Sequence, residues 1–166
     1  MAFSYYAIII FIMAYFFCSI SSATIISRLM GLPDPRNQGS KNPGATNVLR
    51  LGGKKVAAAV LLIDVLKGTL PVLVGCFFLL NNNELSAIGI AAVVGHIYPV
   101  YYRFQGGKGV ATALGVFYGL NVFLGLFCTV VWLIILKLFR FSSLSSLVMV
   151  TVAPFAAIII LNSIFA

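Results

Sequence analysis

Long apolar runs separated by short polar breaks make up most of the chain. We predict a helix at each of six runs: residues 5–26, 56–80, 85–101, 110–119, 122–138 and 144–164. About 20 apolar residues in a helix cross the hydrocarbon core of a bilayer, so most of these runs are long enough to span it. The fourth is too short to span unaided, although a short helix is tolerated inside protein. We favour a break near Gly119-Leu120-Asn121 over one long helix joining the fourth and fifth runs. The pattern predicts an all-α, polytopic membrane helix bundle that forms one domain over residues 1–166.

The composition agrees with a membrane protein. The 166 residues are 61% hydrophobic and 8% charged, with a mean hydropathy of +1.10, whereas soluble domains contain about a quarter charged residues. In a soluble protein the net charge of +8 would suggest nucleic acid as the partner. Here basic residues in cytoplasmic loops are the ordinary positive-inside signal, so the expected partner is the lipid bilayer.

The basic residues lie at one face of the predicted bundle. With the N-terminus outside and one crossing per segment, residues 27–55, 102–109 and 138–143 are cytoplasmic, and these loops and their flanks carry ten of the eleven Lys and Arg residues. The exception, Lys67, lies inside a segment, and Glu84 lies in an opposite loop. Cys18, Cys76 and Cys128 lie in apolar segments without CxxC spacing, which predicts packing residues.

A polar stretch, GSKNPGATNVLR at residues 39–50, interrupts the apolar pattern after GLPDPRNQ, whose prolines predict a loop. Its glycines let backbone N–H groups approach a ligand closely, and its hydroxyl and amide side chains add donors. Within the stretch these residues are Gly39, Ser40, Asn42, Gly44, Thr46 and Asn47, and Gly52 and Gly53 follow it. Together with Arg50 they predict an oxyanion site. The alternative is a turn that caps the second helix, with its basic residues binding lipid head groups.

A second polar stretch, GHIYPVYYRFQGGKGVAT, occupies residues 95–112. In it a GGKG run directly precedes a predicted helix, so it offers free N–H groups, a helix N-terminus and Lys108, all of which favour a phosphate dianion. It is not a Walker A loop, since the GxxxxGK(S/T) pattern is absent. His96 is interpreted either as a structural donor or as a general base. No second His or Cys accompanies it, so no metal site is predicted.

Two further polar patches are candidates for supporting roles. DVLKG places Asp64 and Lys67 three residues apart on one helix face, which predicts an ion pair that orients the neighbouring loops. Substrate contact is the alternative for this pair. RFSSLSSL at residues 140–147 opens the last segment. There Ser142 or Ser143 is either the helix N-cap or a hydroxyl that reaches a ligand shared with the other loops.

The motifs GSKNPGATNVLR, DVLKG, GHIYPVYYRFQGGKGVAT and SSL, in this order, resemble those of the bacterial acyl-phosphate:glycerol-3-phosphate acyltransferases, the PlsY family. The resemblance covers residues 26–154. It implies a seven-helix enzyme without a cofactor in the bacterial cytoplasmic membrane, with its active site facing the cytoplasm. The implied reaction transfers a fatty acyl group from acyl-phosphate to the 1-hydroxyl of sn-glycerol 3-phosphate, giving lysophosphatidate and phosphate for phospholipid biosynthesis. The oligomeric state is not implied.

The resemblance also implies roles for particular residues. By motif position Ser40 and Arg50 are essential, and the phosphate of glycerol 3-phosphate is held by Gly106, Gly107, Lys108 and Gly109. The supporting positions are Asn42, Gly44, Asn47, Lys67 and Ser143. Since acyl-phosphate has a good leaving group, the main tasks are to place the hydroxyl and to offset the charge of two phosphates. The departing phosphate is the expected proton acceptor, with His96 as the alternative base.

The chain departs from the family pattern at three places. Lys41 stands where the family commonly has Gly, and Gln105 where it commonly has Lys. A positive φ at position 41 would be costlier for lysine than for glycine. The third family motif, a His and an Asn after the seventh helix, has no counterpart before Ala166. We therefore expect the chain to lack the seventh helix and to have little or no activity by itself.

Two other functions fit part of the pattern. A transporter or channel for an organic phosphate would explain the basic loops, but it should show internal pseudo-symmetry and a midplane site, and the sequence has no repeat. A structural lipid-binding subunit would explain the charge of +8 but not the ordered Gly, Asn, Ser and Arg pattern.

Overall fold

The computed structural model describes the backbone of residues 3–164 and the side chains of residues 3–160. Within that part the chain forms α1 (Tyr5–Cys18), α2 (Ser22–Leu29), α3 (Ala45–Phe77), α4 (Asn82–Ile97), a 3₁₀ turn (Val100–Tyr102), α5 (Val110–Leu120), α6 (Val122–Phe139) and α7 (Ser142–Ile164). Five stretches there are long and apolar enough to cross a membrane, and α5 is a shorter apolar helix. The predicted all-α membrane bundle is confirmed. The expectation of a further helix and motif after Ala166 lies outside the described residues.

The first predicted segment is wrong in one respect, because it consists of two helices. Ser19 is the C-cap of α1, and its hydroxyl donates to the carbonyl oxygen of Tyr15. Ser21 is the N-cap of α2, where its hydroxyl oxygen accepts from the backbone N–H of Thr24. Serine side chains compete with the helix for backbone hydrogen bonds, so this cluster favours two caps over a continuous helix.

The second predicted segment begins too late, since α3 starts at Ala45 and not at residue 56. The second half of GSKNPGATNVLR is therefore helical and not a loop. Gly53 interrupts α3 with φ 79° and ψ −176°, so a short N-terminal helix is set off from the long apolar one. That conformation is essentially restricted to glycine. The predicted break between the fourth and fifth segments is confirmed, because Asn121 ends α5 and caps α6.

The short helix α5 is held by a close crossing with α3. A Cβ added at Gly68 would meet the carbonyl oxygen of Thr112, and one added at Gly115 would meet that of Val65. Thr69 Oγ1 also donates to the carbonyl oxygen of Gly115 at 2.8 Å. Small residues allow such close backbone approach in membrane bundles. α5, which begins directly after the GGKG run, therefore packs closely against α3.

One end of the bundle is fixed by Glu84. Its carboxylate accepts from the backbone N–H of Asn81 in a capping box and from the backbone N–H of Ser4, the N-cap of α1. This explains why α4 begins at Asn82, earlier than predicted. Cys18, Cys76 and Cys128 are free thiols in or against apolar clusters, which confirms their interpretation as packing residues.

Gly53→Ala should lower the free energy of unfolding by about 3 kcal/mol, because alanine must adopt a conformation that costs other residues heavily. A Cβ at Gly53 would meet no atom within 4 Å, so crowding adds nothing. Gly31→Ala is the matched control, since its Cβ is equally free and its φ is +66°. That left-handed conformation should cost about 1 kcal/mol. The free energies of unfolding of both variants are measured in one detergent. Equal losses would contradict the explanation that the conformation of Gly53 is costlier than that of Gly31.

Candidate functional site

Asn47 organises the loop of residues 30–44. Its Nδ2 donates to the carbonyl oxygens of Pro35 and Gln38 at 2.8 and 2.9 Å, and its Oδ1 accepts from the backbone N–H of Ser40 at 3.0 Å. The residue is only 1% exposed. A Cβ at Gly39 would strike Oδ1, and Gly39 has φ +61°, so glycine is required there. The first turn of α3 thus fixes the backbone that carries Ser40.

Three of the four predicted catalytic side chains are exposed. They are Ser40, Arg50 and Lys108. No side chain among them forms a hydrogen bond or ion pair with any of residues 3–160. More widely, only two of the eleven Lys and Arg residues, Arg36 and Lys67, form ion pairs in that part of the chain. The basic end of the protein therefore keeps its positive charge available for an anion.

Asn42 and Gly44 follow Ser40 in the same loop, directly before α3. Gly44 is the N-cap of α3 and offers no side-chain cap, so the first amides of the helix are not covered by a capping side chain. Asn42 is half-buried, and a Cβ at Gly44 would lie 2.9 Å from its Nδ2. Uncapped amides at a helix N-terminus favour an anion.

The GGKG loop packs directly on the end of α4. The backbone N–H of Gly107 donates to the carbonyl oxygen of His96 at 3.1 Å. A Cβ at Gly106 would meet the carbonyl oxygens of His96 and Ile97, whereas one at Gly107 would meet the Nε2 atom of His96. Gly109 has φ +76° and is the N-cap of α5. The packing thus requires glycine at 106 and 107 for a reason other than the predicted approach of a ligand.

The buried pair predicted from DVLKG is confirmed. Lys67 Nζ lies 2.9 Å from Asp64 Oδ1, with both side chains at least 95% buried, and Nζ also donates to the carbonyl oxygen of Ile20. Ser22 on α2 donates to the same Asp64 oxygen at 2.6 Å. His96 Nδ1 lies 3.6 Å from that oxygen, too far for a hydrogen bond. Sequence reasoning missed Ser22, because no local pattern links it to a residue 42 positions away.

Side-chain contacts join the loops at this end of the bundle. Arg36 binds Asp34 through a 2.6 Å contact and lies 5.2 Å over the ring of Tyr102, which belongs to the second motif. Hydrogen bonding to the Arg36 guanidinium lowers the pKa of Asp34. Arg36 and Tyr102 were not predicted to matter, since cation–π contacts between distant loops leave no spacing signal.

The third polar patch meets the first motif through Ser142. The hydroxyls of Thr46 and Ser142 are 3.4 Å apart, at the limit of a hydrogen bond. α7 begins at Ser142, so both candidate serines lie in its first turn and the interpretation of either as the N-cap is wrong. Ser143 is exposed and makes no such contact within the described side chains. The structure therefore brings one hydroxyl of the SSL motif against the first motif and leaves the other open.

These features define a multi-pass helical membrane protein with two glycine-containing basic loops at one end. The sequence profile of the family described as glycerol-3-phosphate acyltransferase matches residues 8–166, and the chain belongs to this family, the PlsY family. A glycerol-3-phosphate acyltransferase of Vibrio cholerae is 53% identical over 148 residues, covering 89% of this chain and 71% of the relative. That of Methylococcus capsulatus is 55% identical over 141 residues, covering 85% and 71%.

Solved structures give the same assignment. PlsY, described as an integral membrane glycerol 3-phosphate acyltransferase, is similar in its glycerol 3-phosphate form with a TM-score of 0.88 and 41% identity. That match covers 93% of this chain and 77% of PlsY. The lysophosphatidic acid form gives a TM-score of 0.86 at 39% identity, covering 93% and 76%. Sequence and fold thus agree on the family.

Lys41→Gly should stabilise the first loop relative to Lys41→Ala by about 1 kcal/mol, because Lys41 has φ +56° and only glycine adopts the left-handed region without a Cβ penalty. Both variants remove the same charge, so their difference isolates the backbone effect. Thermal unfolding in one detergent provides the comparison. Equal stabilities would mean that the loop relaxes away from this conformation at little cost.

Proposed function

We propose that this chain transfers a fatty acyl group from acyl-phosphate to the 1-hydroxyl of sn-glycerol 3-phosphate. The observation that carries the proposal is the pair of exposed, unpaired cations, Arg50 and Lys108, set on glycine-containing motifs in a chain of the glycerol-3-phosphate acyltransferase family. Each substrate carries a phosphate, and each motif supplies one of these two cations with nearby backbone N–H groups. Charge-assisted contacts of this kind are the strong ones in phosphate recognition.

The transfer requires no redox partner. The hydroxyl oxygen of glycerol 3-phosphate forms a bond to the acyl carbonyl carbon, and the bond between that carbon and the phosphate oxygen breaks. The hydroxyl proton passes to the departing phosphate, which gives lysophosphatidate and inorganic phosphate. The protein's tasks are to hold the two reactants in line and to stabilise the oxyanion that develops.

We assign one group of residues to the phosphate of each substrate. Lys108 and the amides of Gly106 and Gly109 hold glycerol 3-phosphate, with Gly107 anchoring the loop on α4 through its bond to the carbonyl oxygen of His96, while Arg50, Ser40 and the uncapped start of α3 hold the acyl-phosphate. Asn42, Gly44 and Ser143 line the site around these residues, and the buried Asn47 and Lys67 hold the surrounding backbone in position. The buried hydrogen bonds of Asn47 and Lys67 favour this positioning role over direct substrate contact.

The proposed setting is the bacterial cytoplasmic membrane, with the N-terminus outside and the site facing the cytoplasm. Ten cations lie on or beside the loops at the site end, which the positive-inside rule assigns to the cytoplasm. The opposite end carries Ser4 and Glu84 and no cation among residues 78–87. A transporter for organic phosphate is not favoured, since the family matched is one of acyltransferases.

The direct test is phosphate release from palmitoyl-phosphate by the purified chain in detergent, with and without glycerol 3-phosphate. Release that depends on glycerol 3-phosphate, with lysophosphatidate detected by mass spectrometry, supports the proposal. Release that is independent of glycerol 3-phosphate would indicate a hydrolase. No release together with counterflow of glycerol 3-phosphate in proteoliposomes would favour the transporter.

Arg50→Ala and Lys108→Ala should each lower kcat/KM by at least about a hundredfold, because each removes a charge-assisted contact to a phosphate. Lys137→Ala is the matched control, since Lys137 is an exposed cation outside the motifs, and its variant should keep kcat/KM within about threefold. Initial rates at varied concentrations of both substrates measure the effect. Near-normal turnover of either motif variant would refute the two-phosphate site.

A further inference from the structure

The imidazole of His96 lies between a buried charge and the GGKG loop. Its Nδ1 faces Asp64 Oδ1 at 3.6 Å and has no hydrogen-bond partner within the described side chains. Its Nε2 lies where a Cβ of Gly107 would be. The residue is only 7% exposed. Both ring nitrogens therefore face protein atoms, one towards α3 and the other towards the loop.

The carboxylate opposite the ring is itself held firmly. Asp64 Oδ1 accepts from Ser22 on α2 at 2.6 Å and lies 2.9 Å from Lys67 Nζ. The Lys67 ammonium also donates to the carbonyl oxygen of Ile20 at 3.1 Å. The ring of His96 thus lies between the fixed Asp64–Lys67 pair of α3 and a loop that cannot carry a Cβ at the point of contact.

This arrangement does not suit a general base. A base must come within hydrogen-bond reach of the proton that it abstracts, directly or through one water. Nδ1 is turned towards the buried pair, and Nε2 lies against the backbone of Gly107, at the place where a Cβ of that residue would be.

We infer that His96 is a positioning residue whose ring supports the GGKG loop at Gly107 and sets the position of its amides for glycerol 3-phosphate. The inference rests on the proposed function. Since the ring fills the space where a side chain at 107 would lie, the ring and residue 107 share one fixed volume. Well-packed sites tolerate volume-conserving changes better than either overpacking or a void.

The test is a size-compensation experiment on residues 96 and 107. Gly107→Ala alone should raise KM for glycerol 3-phosphate about tenfold with kcat changed less than about threefold, because its Cβ forces the loop off the ring. His96→Ala should likewise affect KM more than kcat. In the His96→Ala background the added Cβ has room, so Gly107→Ala should change KM less than about threefold.

Gly106→Ala is the matched control. Its Cβ would meet the carbonyl oxygens of His96 and Ile97, which remain when the side chain of residue 96 is removed. Its penalty should therefore be the same in the unsubstituted chain and in the His96→Ala background. If His96→Ala does not accumulate as a folded protein, His96→Asn tests the same point, since asparagine also leaves room near residue 107.

Two results would overturn the inference. A fall in kcat of about a hundredfold or more for His96→Ala, with KM for glycerol 3-phosphate unchanged, would identify a proton-transfer role. An equal Gly107→Ala penalty in both backgrounds would show that the ring does not support the loop.

A binding measurement separates this inference from the proposed function. The rise in unfolding temperature with added glycerol 3-phosphate reports binding without turnover. If the unsubstituted chain binds glycerol 3-phosphate but makes no lysophosphatidate, the proposed function is wrong while the inference about His96 still stands. The role of His96 is then decided by comparing the rise in unfolding temperature among the same variants. Absence of binding would overturn both.

Discussion

The buried pair of Asp64 and Lys67 is the constraint on which the basic end of the bundle depends. A charge at membrane depth is costly unless it is paired and hydrogen-bonded. Each partner here meets that condition with help from elsewhere, Asp64 from Ser22 and Lys67 from the carbonyl oxygen of Ile20. Because losing one member of such a pair typically costs about 3–5 kcal/mol, α2 and α3 are held in one arrangement. The ring of His96 lies next to this buried pair, and the GGKG loop packs against that ring.

Sequence patterning predicted the helices where apolar length decided the outcome. The spans corresponding to α6 and α7 were predicted within two residues at their starts, and the break near Gly119-Leu120-Asn121 was also predicted. Patterning failed where a few polar side chains overrode hydropathy. The serines at 19 and 21 split the first segment, and the helix that begins at Ala45 lies in a stretch whose composition resembles a loop. Neither outcome depends on how apolar the stretch is.

For the candidate site, local motifs pointed to candidate residues but could not give their arrangement. The i, i+3 spacing was enough to predict the Asp64–Lys67 pair, because both members lie on one helix. The contacts of Ser22 with Asp64 and of Arg36 with Tyr102 join distant parts of the chain, and no local pattern encodes them. The glycines of GGKG were found from their type alone, whereas the side chain that each one accommodates depends on how the loop folds over α4.

The hydrogen bonds of Asn47 have a consequence for the entropy of substrate binding. Fixing the backbone of one residue costs about 1–2 kcal/mol, and a loop that becomes ordered only on contact with its ligand subtracts that cost from the binding free energy. Asn47 joins Pro35, Gln38 and Ser40 through bonds that lie wholly within the protein. The loop is therefore ordered when the protein folds, and under the proposed function a phosphate would bind to a backbone that is already in place. Under that proposal the affinity would depend on charge and distance, with little contribution from induced rearrangement of these residues.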